Sequence, residues 1–219
     1  MRFARSSRAR LTRHDLGRFP GATLFDRLGR ALCEAECLPR KELYEAWEVA
    51  RRARRWFRGG RVVDLGAGHG LLAHVMLLLD DSSPRAIAVD RVVPPSASRI
   101  HDVLTNAWPR LAGRVAYVAG EPHDVPGEPG DVVVSAHACG AFTDRVIDCA
   151  IAARARLAVL PCCHDLEEND TGDLAGWLDA PLAIDVSRAM RLKAAGYQVR
   201  TQTIPGEITA KNRLLLASG

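Results

Sequence analysis

Val62-Val63-Asp64-Leu65-Gly66-Ala67-Gly68-His69-Gly70 is the stretch that decides how this chain is read. A short apolar run carrying one acid closes into a glycine turn, and the apolar residues 71–79 follow with the composition of a helix. In a strand, glycine turn and helix unit, the glycines let the backbone approach a ligand closely while the helix start offers free N–H groups. The glycines are spaced GxGxG, with an acid two residues before the first. That spacing differs from the GxGxxG dinucleotide fingerprint and speaks against a nicotinamide dehydrogenase. A second acid, Asp90, closes the next apolar run, AIAVD. A carboxylate there can accept two hydrogen bonds from vicinal hydroxyls and rejects a phosphate.

Working outward, short apolar strands alternate with helical stretches, the pattern of a parallel sheet covered on both faces. Strands are expected at 61–65, 86–90, 114–119, 131–135 and 157–160, with helices at 71–79, 96–108, 143–155 and 181–195. The segment EPHDVPGEPG, before the fourth strand, is too rich in Pro and Gly for a crossover helix and is expected as an irregular link. Two last strands, 197–204 and 213–217, are joined through Pro205-Gly206 and should be antiparallel. Upstream, Leu24, Leu28 and Leu32 recur every fourth residue, and Leu43, Trp47, Ala50 and Phe57 mark a second helical face that ends at Gly59-Gly60. The chain therefore divides into a helical N-terminal extension, 1–58, and a ligand-binding α/β domain, 59–219.

With 219 residues, 47% of them hydrophobic and 26% charged, the chain can bury a sizeable core, which excludes wholesale disorder. No apolar run approaches the roughly 20 residues that span a bilayer, so no membrane segment is expected. The N-terminus lacks an apolar signal core; its Arg/Ser bias loosely resembles a transit peptide, interrupted by Asp15, and equally suits a basic arm. Six scattered cysteines in a chain of this size fit a reduced, cytoplasmic compartment. Residues 1–61 carry 16 Lys/Arg against 7 Asp/Glu, whereas the remainder carries 14 against 19. A basic end of this kind suits RNA, because neutralising phosphates releases counterions. Arginine outnumbers lysine 27 to 3, however, so compositional bias with a solvated surface is the competing reading.

The turn and its two acids resemble the S-adenosylmethionine site of Rossmann-like (class I) methyltransferases. The resemblance implies a mostly parallel seven-stranded sheet with an antiparallel last strand and helices on both faces. It also implies that Asp64, Gly66, Ala67, Gly68 and Gly70 hold the methionine end of the cofactor and that Asp90 takes its ribose hydroxyls. Glu121 and Asp124 are the counterparts of the family's adenine neighbours, and Ser135 joins the cofactor-binding set. A second group of residues narrows the family: Ser135-Ala136-His137-Ala138-Cys139-Gly140 with Thr143-Asp144, then Pro161-Cys162-Cys163-His164, then Ile208-Thr209-Ala210-Lys211-Asn212-Arg213. Together they resemble a subfamily with HACG, PCC and ITxKNR elements that includes a eukaryotic tRNA ribose 2'-O-methyltransferase and methyltransferase-like proteins, over residues 40–217. The zinc-binding N-terminal module of the tRNA enzyme has no counterpart in this sequence.

Ligands of open parallel sheets bind at the carboxyl ends of the strands, so His137, Cys139, Cys162, Cys163 and His164 should converge on the transferring methyl group. Transfer to a hydroxyl needs a proton acceptor, and His137 or His164 can supply it. Cys139 and Cys162 complete the candidate catalytic set. A cysteine thiolate could instead add to a pyrimidine, or the cysteines could be small buried residues. Their spacing is not the CxxC of structural zinc sites, so no metal is expected. Cys33 and Cys37, at helical spacing, read as packing. Lys211, Asn212 and Arg213 either reach a substrate or stay solvated, and Asp185 and Arg188 suit a local ion pair. The functional expectation is an S-adenosylmethionine-dependent methyltransferase acting on RNA. The alternatives are a protein or small-molecule acceptor, or a cofactor-binding module without catalysis.

Overall fold

The structure, a computed structural model, describes residues 9–219. The chain enters through helices α1 (Leu24–Ala35) and α2 (Arg40–Trp56) and then alternates strand and helix: β1 (Val62–Leu65), α3 (Leu71–Leu79), β2 (Ala86–Asp90), α4 (Ser96–Ala107), β3 (Val115–Ala119), β4 (Val132–Cys139), α5 (Phe142–Ala153), β5 (Arg156–Cys163), α6 (Ala180–Ala194), β6 (Gln198–Thr203) and β7 (Arg213–Ser218). The strands form one sheet in the order β3-β2-β1-β4-β5-β7-β6. β7 pairs antiparallel with both β5 and β6, and the other pairs are parallel. The strand order reverses direction between β1 and β4, which opens a crevice at their carboxyl ends, where open α/β sheets bind ligands.

Side chains alternate between the two faces of a strand. Val62, Ala86, Ala88, Val132, Val134 and Ala158 bury on one face against α2, α3 and α4. Val63, Leu65, Val89, Val133, Leu157 and Val159 bury on the other, against Val146, Ile147 and Leu192 of α5 and α6. The N-terminal helices belong to the first of these cores: Leu28, Leu32, Leu43 and Val49 share one buried cluster with the sheet. The expected boundary at 58/59 therefore runs through continuous packing. Residues 1–8, the start of the basic arm read as a possible transit peptide, lie outside the described residues. Among the described residues, no helix is long and apolar enough to cross a membrane.

Two expectations are corrected. His137 to Cys139 and Pro161 to Cys163, expected to follow the strands, lie within them, because pairing continues past Ser135: Ala138 stands opposite Pro161 and Cys139 opposite Cys163, after register shifts. Pro161 is tolerated because β7 pairs only with Leu157 to Val159, so the proline takes no donor from that ladder. Arg54, counted among the basic residues available to RNA, is 2% exposed. Its guanidinium donates to the Met76 carbonyl (3.0 Å) and the Ser83 hydroxyl (2.8 Å) and pairs with Asp80 at 3.1 Å. Burial nevertheless lowers its pKa to about 10.

Candidate active site

At the carboxyl ends of β1, β2 and β4 lies a cavity of about 480 Å³, lined by Gly66, Ala67, Gly68 and His69 of the turn, by Asp90 and Glu121, and by His137, Cys139 and Phe142. The turn is tied to β2, since the Gly66 and Ala67 amides both donate to the Val89 carbonyl, at 2.9 and 3.0 Å. Gly66 has φ +72, and a Cβ there would stand 2.9 Å from the Phe142 ring, so the turn requires glycine on two counts. The Gly68 amide donates to Asp90 Oδ2 at 2.8 Å. This bond fixes the carboxylate at the cavity wall and leaves it further acceptor capacity. Glu121 sits at the rim, held by Arg91 (2.6 Å) and Arg145 (3.4 Å).

Other expected cofactor residues stand behind this wall. Asp64 is 1% exposed and accepts the Ala73 amide at 3.1 Å, an interaction that anchors α3. Burial, with Asp90 adding to it, pushes its carboxyl up to about 7. Gly70 does not line the cavity; its missing Cβ makes room for the Tyr117 ring, 2.6 Å from where that atom would be. Ser135 is fully buried, and its hydroxyl has no hydrogen-bond partner among the described residues. Asp124 accepts the Glu121 amide at 2.8 Å and shapes the rim from outside the lining.

The opposite wall of the cavity is built from β4. His137 and Cys139 are exposed while Ala136 and Ala138 between and beside them are buried, so one edge of the strand end faces the cavity. Glu42, from the first turn of α2, lines the same cavity, with its Oε2 3.9 Å from His69 Nε2. Burial raises the Glu42 pKa, against the opposing pull of His137 and His69. His69 in turn shares a 2.7 Å hydrogen bond with the Ser96 hydroxyl. Neither Glu42 nor His69 was among the residues expected from sequence. Glu42 carries no motif and arrives only because α2 packs over the strand ends, whereas His69 sits inside the turn itself.

Cys139 and Cys162 bring their sulfurs to 2.6 Å. The Cys162 thiol beside it holds Cys139 at about 6, well below the ordinary thiol range, while Cys162 is itself pushed up. Cys162 and Cys163 also line a second cavity, of about 540 Å³, together with His137, Lys41, Glu45 and Lys211. His164 is placed differently from expectation. Its side chain is 1% exposed, is absent from the main cavity's lining and donates through Nε2 to Asp185 at 2.8 Å. Asp185 also takes Arg213 at 2.6 Å and Arg188 at 3.4 Å. Burial works against its ionisation, but the bonds from His164 and Arg213 keep its pKa below the usual carboxylate value. His164 and Arg213 are thus engaged in a scaffold that joins β5, α6 and β7, and Asn212 donates to the Ile204 carbonyl at 3.0 Å. Of the ITxKNR group, Thr209, Ala210, Lys211 and Arg213 line the second cavity.

A family model described as a methyltransferase domain matches residues 42–169. No curated protein matches the chain. Among solved structures, the chain is similar to the S-adenosylmethionine-dependent methyltransferase SibL in its apo form: 21% identity over 93% of this chain and 64% of that one, TM-score 0.54. It is similar also to the mitomycin 7-O-methyltransferase MmcR: 20% identity over 94% and 63%, TM-score 0.52. A Pyrococcus horikoshii protein described as a candidate RNA methyltransferase, PH1948, shows 18% identity over 82% and 84%, TM-score 0.49. At these identities the likeness is one of fold, and the chain spans a little under two-thirds of the length of SibL and MmcR. The family match is broader in meaning: it covers more than half of the chain and contains both the glycine turn and the β4 end, so the chain belongs to this family of methyltransferase domains.

Proposed function

We propose that this protein is an S-adenosylmethionine-dependent methyltransferase whose acceptor, an RNA nucleophile, is presented at His137. The observation that carries the reading is that Asp90, held by the Gly68 amide, and His137 line one cavity of about 480 Å³. The donor set fits the cofactor: a carboxylate for vicinal hydroxyls, a glycine turn open to close approach, and a volume in the usual range for small-molecule sites. When bound there, S-adenosylmethionine supplies a methyl group activated by its sulfonium. Asp90 orients the ribose, and the turn from Gly66 to Gly68 receives the methionine end. His137 takes the proton released by a hydroxyl or amine acceptor, and Glu42 lines the same cavity. α2 contributes Glu42 to this side of the crevice.

Support for RNA comes from the positive excess of residues 1–61, from exposed Arg10, Arg55 and Arg58, and from Lys41 and Lys211 in the cavity that adjoins His137. A small-molecule or protein acceptor is the second reading. It is favoured by the internal use of much of that charge: Arg51 and Arg52 pair with Glu48, and Arg54 is buried. Six free cysteines suit a reduced, cytoplasmic setting for either.

Methyl-labelled S-adenosylmethionine incubated with transfer and ribosomal RNA, and separately with protein and metabolite fractions, tests the reading. Label is expected in RNA, with RNA binding that weakens steeply with salt and loses slope in Arg55→Ala and Lys211→Ala. Label confined to protein or metabolites would establish the second reading instead.

A further inference from the structure

Three sulfurs meet where β4 and β5 end. The Sγ atoms of Cys139, Cys162 and Cys163 all lie within 4.8 Å of one another. Consecutive strand residues ordinarily point to opposite faces, so Cys162 and Cys163 should not reach one point. They do so because the β4–β5 ladder is irregular here, with register shifts on either side of Ala138. The strand distortion thus gathers three thiols from two neighbouring strands. Their spacing along the chain conceals this, because the three come together across a parallel pair.

The cluster is also accessible. Cys139 lines the main cavity, Cys162 and Cys163 line the second one, and Cys139 and Cys163 both border a shallow depression of about 570 Å³ beside Gly140. Among the described residues, no histidine, aspartate or glutamate completes the set at the same spacing. Cationic Lys211, in the second cavity, offsets the charge that three thiolates would bring.

We infer that Cys139, Cys162 and Cys163 form a soft-metal site, suited to Zn²⁺, with its fourth coordination position open to the cavities. A tetrahedral zinc with bonds of about 2.3 Å to sulfur separates its sulfurs by about 3.8 Å, inside the observed limit. Binding requires Cys139 and Cys162 to move apart from 2.6 Å, a side-chain rotation. Three thiolates select a soft or borderline ion over Mg²⁺ or Ca²⁺. Three protein ligands with one open place is the arrangement of sites that take water or a substrate atom as the fourth ligand. The inference does not depend on the identity of the methyl acceptor or on methyl transfer.

The test uses the full chain, reduced and stripped of metal, titrated with Zn²⁺ against a chromophoric chelator and separately with Co²⁺. One Zn²⁺ is expected per chain with sub-micromolar affinity, and Co²⁺ should show sulfur-to-metal charge-transfer absorption. Cys139→Ser, Cys162→Ser and Cys163→Ser should each weaken binding by roughly 100-fold or more, while Cys149→Ser leaves it unchanged. Should a serine variant fail to fold, the wild-type cobalt spectrum still decides. Absence of thiolate absorption and of stoichiometric Zn²⁺ binding in the folded protein would overturn the inference. So would Zn²⁺ affinity indifferent to all three substitutions, or a Cys139–Cys162 disulfide that persists under reduction and excludes the ion.

Discussion

The two halves of the crevice are built on different principles. On the β1–β2 side, two short motifs make the site: the turn from Gly66 to Gly68 and Asp90 are joined across neighbouring strands, by the Gly66 and Ala67 amides to the Val89 carbonyl and by the Gly68 amide to the Asp90 carboxylate, and each is legible in its own strand. On the β4–β5 side, His137, Cys139, Cys162 and Glu42 come from two strands and an N-terminal helix, and only packing brings them to one place. The first half can be read as motifs, whereas the second is a juxtaposition.

The sharpest way to break that contrast is His137→Gln. If β4 carries the chemistry and the turn carries the donor, methyl transfer should fall by roughly 10²- to 10⁴-fold, measured as kcat, with donor affinity little changed. Loss of donor binding in this variant would merge the two halves into one.

Next in size is a pH effect on the donor side. Below about pH 4, Asp64 is protonated in both folded and unfolded chains. Between there and its folded value of about 7, the unfolded chain releases a proton that the folded chain keeps, so stability falls as pH rises. The contribution is at most roughly 4 kcal/mol and is fully lost once the folded group has titrated. His74, held near 4 by burial, acts in the opposite sense over part of this window. Urea unfolding of Asp64→Asn against wild type from pH 4 to 8 isolates the Asp64 slope, and parallel curves would refute it.

Gly66→Ala should weaken donor binding by roughly 10- to 100-fold, through strain at φ +72 and contact with Phe142. Smallest is Asp185→Asn, which loosens the pairs with His164 and Arg213 and should cost about 1–2 kcal/mol in chemical denaturation, with donor affinity kept. A loss of kcat with unchanged stability would return His164 to the catalytic set.

Short apolar runs and helical patterns were enough to find every strand and the four helices of the α/β domain, because burial on both faces of the central sheet leaves continuous apolar runs. The pattern ended at Ser135 and Leu160, where small residues and cysteines replace β-branched ones, so the last turn of pairing in β4 and β5 went unseen. Arg54 was hidden among like residues, since its partners Asp80 and Ser83 are distant in sequence. Glu42 looked like an ordinary acid in a helix's first turn. The three cysteines are scattered along the chain and meet only across the β4–β5 ladder, a proximity that their spacing does not reveal.

Calorimetric titration with S-adenosylmethionine and S-adenosylhomocysteine, with NAD as control, tests the central claim most directly. The account expects both of the first two to bind and NAD not to, with affinity falling roughly 10- to 100-fold in Asp90→Ala as its charge-assisted hydrogen bonds are lost. A folded protein that binds neither, or binds them equally well without the Asp90 carboxylate, would contradict it.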